Sequence, residues 1–90
     1  MMDDPVKSIQ QALEVLGLPP MISQKELKER YRELSKRYHP DRGGSHEEMA
    51  QINRAYKILQ NYMENYRFTF SDEEILKQFP LKEHQERFRF

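Results

Sequence analysis

Apolar residues recur along this chain at three- and four-residue intervals, the spacing that gathers side chains on one face of an α-helix. Ile9, Ala12, Leu13 and Leu16 make a first stripe. Leu27, Tyr31, Leu34 and Tyr38 make a second, and Met49, Ile52, Ala55, Tyr56, Leu59 and Met63 a third. Each stripe is set among charged and polar residues, so each helix has one face to bury. The pattern predicts helices over about 5–16, 24–38, 46–66 and, shorter, 72–79. No stretch alternates over strand length strongly enough to displace this all-α reading.

The helix starts carry their own signals. Ser-x-x-Glu occurs at Ser23 to Glu26, Ser45 to Glu48 and Ser71 to Glu74. In each, the Ser hydroxyl can accept from the third helical amide while the Glu reaches back to the cap amide. Ile22 with Leu27, and Phe70 with Ile75, are placed as hydrophobic staples across two of these caps. Asp4 followed by Pro5 marks the first start. Gly17 and the prolines at 19 and 20 mark its end. The second and third helices are long, amphipathic and joined by a short glycine-containing turn, so they should form an antiparallel hairpin, with the first helix packed against it. Residues 1–67 are then the core unit. Residues 68–90 form an aromatic extension expected to fold back on it or, alternatively, to contact a client or targeting partner.

Charge sorts unevenly on the second helix. Glu26 and Arg30, and Glu33 and Arg37, are placed as i,i+4 pairs with the acid first, the favourable order. Lys25, Lys28, Arg32 and Lys36 fall within an arc of about 80° on another face, with Glu29 beside them and Tyr31 at the border with the apolar stripe. Such a face is either ordinary solvated surface or a docking surface for an acidic partner. Its position favours docking, because it leads straight into the sequence His39-Pro40-Asp41.

Composition narrows the function. The 90 residues carry 15 basic and 15 acidic side chains, a formal net charge of zero, which argues against nucleic acid as the main partner. There is no cysteine, so thiol chemistry and cysteine-based zinc sites are excluded. His39, His46 and His84 have no spacing suited to a metal, and no cofactor is implied. No apolar run reaches the roughly 20 residues that span a bilayer. The opening Met-Met-Asp-Asp has neither the basic nor the apolar region of a secretory signal, and the expectation is a cytoplasmic monomer.

Pro40 ends the second helix at His39 and leaves an imidazole and a carboxylate side by side in a turn that loosens at Gly43 and Gly44. Catalysis by the pair would need a nucleophile and a sheltered pocket. Ser45 is taken as a cap and Ser35 sits mid-helix, so an enzyme is not expected. A structural turn accounts for Pro40 and the glycines but not for His39 or Asp41.

Taken together, "LGL…LKERYRELSKRYHPDRGG…MAQINRAYKIL" resembles the J-domain, the module of the DnaJ co-chaperones. The resemblance covers Leu13 to about Tyr66. It implies a helical hairpin with a leading helix, and a non-enzymatic activator that docks on a DnaK-type (heat-shock-seventy class) chaperone and stimulates its ATP hydrolysis; the tail does not look like the family's common Lys-Arg-rich fourth helix. By resemblance, His39, Pro40 and Asp41 are required for stimulation, and Lys28, Tyr31, Arg32, Arg37 and Arg42 face the partner. Charge sorting selects Lys28 and Arg32 independently and adds Lys25 and Lys36, but places Arg37 on the paired face. The chain departs from the family at Glu33, where many relatives carry a cation. Its turn is as compact as in specialised J-domains, and it has neither zinc-binding cysteine repeats nor a Gly/Phe-rich region. The runner-up function is a specialised J-like module that recruits the chaperone to one task through its C-terminal extension.

Overall fold

The computed structural model describes residues 4–79. They form four α-helices, α1 (Pro5–Leu16), α2 (Gln24–Tyr38), α3 (His46–Glu64) and α4 (Asp72–Lys77), with a single 3₁₀ turn, Pro40–Arg42, between α2 and α3. No strand occurs among the described residues.

The caps are largely those the sequence encodes. Asp4 Oδ1 accepts from the amides of Val6 and Lys7 at 3.0 and 3.3 Å. Ser23 with Glu26 and Ser45 with Glu48 form reciprocal capping boxes. The third box forms only half. Ser71 Oγ accepts from the Glu74 amide, but the Glu74 carboxylate turns to Lys77 Nζ at 3.2 Å instead of reaching back. The staple expected across that cap is also missing, because Phe70 is 80 % exposed. At the first staple, Ile22 does pack against the core cluster that contains Leu27.

Two helices end earlier than their apolar pattern suggests. α3 stops at Glu64 rather than 66, because Asn65 Nδ2 donates to the Asn61 carbonyl at 2.9 Å and so caps the last turn. α4 stops at Lys77 rather than 79. The amides of Gln78 and Phe79 make tighter i,i+3 bonds to Ile75 and Leu76, a loosened last turn before Pro80 excludes α geometry at residue 79.

α2 and α3 form the antiparallel hairpin, and α1 lies chiefly along α3, touching α2 only lightly. The core is Ala12 and Leu16 from α1, Leu27 and Leu34 from α2, and Ile52, Ala55 and Leu59 from α3. Leu16 and Leu27 are fully buried, so truncating either to alanine should cost about 2–5 kcal/mol. The light α1–α2 contact is reinforced by one polar bond. Arg30 Nε on α2 donates to the Leu16 carbonyl at 2.7 Å, satisfying one of the open acceptors at the end of α1 and placing a cation at its negative pole. Gly17 then reverses the chain at φ 66°.

The extension is described only to residue 79. Phe68 and Phe70 are 70 % and 80 % exposed, so this part does not fold back on the hairpin through those rings. Phe88 and Phe90, on which the same expectation rested, lie outside the described residues.

Candidate functional site: the α2 face and the 39–41 turn

The turn is built from its backbone outward. His39 leaves the helix with extended geometry, φ −62° and ψ 136°, and its carbonyl accepts from the amides of Arg42 at 2.8 Å and Gly44 at 3.2 Å. Pro40 opens the 3₁₀ turn with φ already fixed and no amide to satisfy. Gly43 closes it in the left-handed region, at φ 91°. Gly44 is required for a different reason. A Cβ there would collide with the backbone of Tyr38, whose carbonyl the loop crosses. Only glycine lets the chain pass this close to the end of α2.

The His39 side chain caps this turn. Its Nδ1 accepts from the Asp41 amide at 3.2 Å, so in the neutral ring the proton is on Nε2. Asp41 Oδ2 lies 3.6 Å from the same Nδ1. An ion pair there requires a protonated Nδ1, which excludes the amide bond, so the two interactions are alternatives. The Asp41 side chain is 89 % exposed and receives no hydrogen bond among the described residues. The imidazole thus works inward, fixing the turn, while the carboxylate stands in solvent with its acceptor positions open.

The cations approach this turn along α2. Lys25, Lys28, Arg32 and Lys36 are exposed and form no ion pair among the described residues. Arg42 is exposed and unpaired in the same sense. The paired face is arranged differently from the i,i+4 expectation. Glu26 folds back to the Ser23 amide at 2.9 Å, and Arg30 turns to Leu16 and to Glu33 at 3.4 Å. Neither expected pair forms. Glu33 goes to Arg30, and Arg37 is left exposed without an ionic partner among the described residues. Electrostatically, Arg37 therefore groups with the free cations and not with the neutralised face.

Tyr31 is held inward. Its ring stacks on Tyr56 of α3, with centroids 4.1 Å apart and planes 16° from parallel. Its hydroxyl donates to Asn53 Oδ1 at 2.5 Å. Stack and hydrogen bond clamp α2 to α3 beneath the basic stripe. Asn53 gave no sign of this role in the sequence, being one polar residue among many on α3.

One pKa displacement bears on the site's scaffold. The Glu26 carboxyl is held below the usual 4.5 by the hydrogen bond from the Ser23 amide and, secondarily, by the Ser23 side chain. Among the described residues no three His, Cys, Asp or Glu side chains lie close enough together to hold a metal ion. No helix there is long and apolar enough to cross a membrane. The arrangement is a display: a fixed turn presenting one carboxylate, at the end of a helix presenting unpaired cations.

The chain, over most of its length, is similar to known proteins. The profile of the DnaJ domain matches residues 11–68. A tetratricopeptide repeat and J domain-containing co-chaperone of Cryptococcus neoformans is 39 % identical over 59 residues, which is 66 % of this chain and 11 % of that protein. DnaJ homolog subfamily A member 2 of Homo sapiens is 43 % identical over 49 residues, 53 % of this chain and 12 % of the relative. Chaperone protein DnaJ of Trichodesmium erythraeum is 47 % identical over 49 residues, 51 % and 13 % respectively. The chain thus spans about an eighth of the length of these curated relatives. No solved structure gives a significant match.

Proposed function

The chain belongs to the DnaJ-domain family, and from that premise we propose that it is a co-chaperone that docks α2 and the 39–41 turn on a DnaK-type chaperone and stimulates its ATP hydrolysis. It is an activator of a partner's ATPase and not itself an enzyme. The observation that carries this reading is the juxtaposition of an exposed Asp41, on a turn capped by His39, with α2 cations that form no ion pair among the described residues.

The physical division of labour follows. Lys25, Lys28, Arg32 and Lys36, joined by Arg37 and Arg42, draw an acidic surface toward α2. Steering of this kind raises association rates by about ten- to a thousandfold and is screened by salt. Asp41 then pairs with a cation of the partner, a charge-assisted bond roughly twice as strong as a neutral one. Pro40, Gly43, Gly44 and the His39 cap hold the carboxylate in place before docking, so little ordering cost falls on the encounter.

The test is the association rate with an ATP-loaded DnaK-type chaperone as salt is raised. The parent rate should fall with salt. Lys28→Glu combined with Arg32→Glu should lower it at least tenfold at low salt and flatten its salt dependence. A charge-reversed variant that associates at the parent rate would overturn steering by α2. A second reading, a specialised module that recruits the chaperone to one task through its extension, draws on the exposed Phe68 and Phe70. It shares the α2 surface and differs only in what the extension holds.

A further inference from the structure

Two groups compete for one nitrogen of the His39 ring. Nδ1 accepts from the Asp41 amide at 3.2 Å and lies 3.6 Å from Asp41 Oδ2. A ring nitrogen with a free lone pair takes the amide, and one that carries a proton takes the carboxylate. Both groups belong to Asp41, so the state of the ring decides what Asp41 does with its charge. With the ring neutral, the carboxylate is left to solvent, 89 % exposed. With the ring protonated, the amide loses its acceptor, the cap on the 3₁₀ turn opens, and the carboxylate closes on the ring.

The neighbouring groups offer the ring no other anion. Lys36, Arg37 and Tyr38 end α2, Arg42 lies in the turn, and His46, Glu47 and Glu48 begin α3. Glu48 is engaged in the Ser45 cap. Among the described residues, Asp41 carries the only carboxylate within ion-pairing distance of His39. Carboxylates, lysines, arginines and tyrosines as a class hold their charge state between about pH 5 and pH 8, where histidines change theirs. His46, exposed at the start of α3, is the one described neighbour of the same chemistry.

We propose that His39 is a proton-operated latch on Asp41: the neutral ring caps the turn and frees the carboxylate, and the protonated ring retracts the carboxylate into an internal ion pair. Resting on the reading of Asp41 as the docking carboxylate, the latch adds its regulation, with docking favoured at neutral and alkaline pH and weakened on acidification. His39 is here a positioning residue, acting through Asp41. Both side chains are more than half exposed, so the internal pair is screened by solvent and tunes docking without abolishing it. An exposed ion pair shifts such a competition by up to about fivefold.

Nuclear magnetic resonance of the full chain, labelled with nitrogen-15 and carbon-13 and followed from about pH 8 to about pH 5, tests the latch without a chaperone. At the alkaline end the His39 ring should carry its proton on Nε2. As the ring protonates, the Asp41 amide should lose its hydrogen-bonded shift, and the Asp41 carboxyl carbon should move with the same midpoint. A neutral ring protonated on Nδ1, or an Asp41 carboxyl carbon indifferent to the His39 titration, would overturn the proposal. Docking is read from single-turnover stimulation of a DnaK-type ATPase at each pH, divided by the stimulation a client peptide gives the same chaperone without this chain. That quotient should fall about two- to fivefold across the range, and equally in a variant carrying His46→Gln and His84→Gln. A quotient independent of pH, or a fall that disappears with His46 and His84, would overturn the regulation. A parent that gives no stimulation even at about pH 8 would overturn the co-chaperone reading and the regulation with it, and the resonances would still decide the latch.

Discussion

Replacing Tyr31 by phenylalanine isolates one bond of the clamp between α2 and α3. The ring and its stack on Tyr56 remain, and only the hydroxyl that donates to Asn53 at 2.5 Å is lost. A hydrogen bond of this kind contributes about 0.5–1.5 kcal/mol net. In a domain of this size about 1 kcal/mol lowers the melting temperature by roughly 4–8 °C. Asn53→Ala should cost a similar amount, and the double variant should cost hardly more than either alone, a coupling of about 1 kcal/mol. Tyr31→Ala also forfeits the stack and the ring's burial and should cost about 3 kcal/mol. Because the hydroxyl is spent inside the domain, Tyr31→Phe should keep its stimulation of a DnaK-type ATPase at temperatures where it is folded. Urea titrations of the four proteins, followed by circular dichroism, measure the cycle. Additive losses, or a Tyr31→Phe protein of parental stability that no longer stimulates, would refute the inward assignment.

Three further outcomes follow from the same geometry. Gly44→Ala forces the loop off the Tyr38 carbonyl, costing about 1–3 kcal/mol as overpacking does, and should impair stimulation beyond its thermal destabilisation because the displaced loop carries Asp41. Ser35→Ala should stabilise the domain by up to about 1 kcal/mol in the same titrations, since the Ser35 hydroxyl is buried without a hydrogen-bond partner among the described residues; a loss of stability would reveal a partner for that hydroxyl. Glu26 has its folded pKa below the usual 4.5, so the stability it contributes is complete above that value and is lost as pH falls through the folded pKa; the stability gap between parent and Glu26→Ala, followed from pH 7 to pH 3, should narrow only in the acid part of that range.

Much of the scaffold was legible because its signals are local. A cap serine and its glutamate lie three residues apart, and an apolar stripe repeats within two turns, so both can be read without knowing the fold. The misreadings arise where one side chain has two possible partners. Spacing alone pairs Glu26 with Arg30, but the Ser23 amide is nearer in the chain and competes for the same carboxylate. Arg30 was free to turn away because the Leu16 carbonyl, fourteen residues distant, becomes its neighbour only after α1 docks. That contact sent Glu33 to Arg30 and released Arg37. Phe70 does not act as a staple, because it stands 80 % exposed with no described residue burying it. In the turn, the sequence marks His39, Pro40 and Asp41 as a unit but not their roles. The imidazole caps the turn and the carboxylate faces out, a difference that depends on backbone geometry. Gly44 likewise reads as a loop residue until Tyr38 is seen behind it.

The central claim is that a displayed Asp41 carboxylate activates a DnaK-type ATPase, and single-turnover ATP hydrolysis tests it most directly. The parent protein should accelerate hydrolysis by such a chaperone. Asp41→Asn keeps the size and the turn but removes the charge, and should abolish the acceleration while circular dichroism shows the helices unchanged. His39→Gln disturbs the cap and should also reduce it severely. Acceleration by Asp41→Asn equal to the parent's, or a folded parent that leaves the hydrolysis rate untouched, would contradict the account.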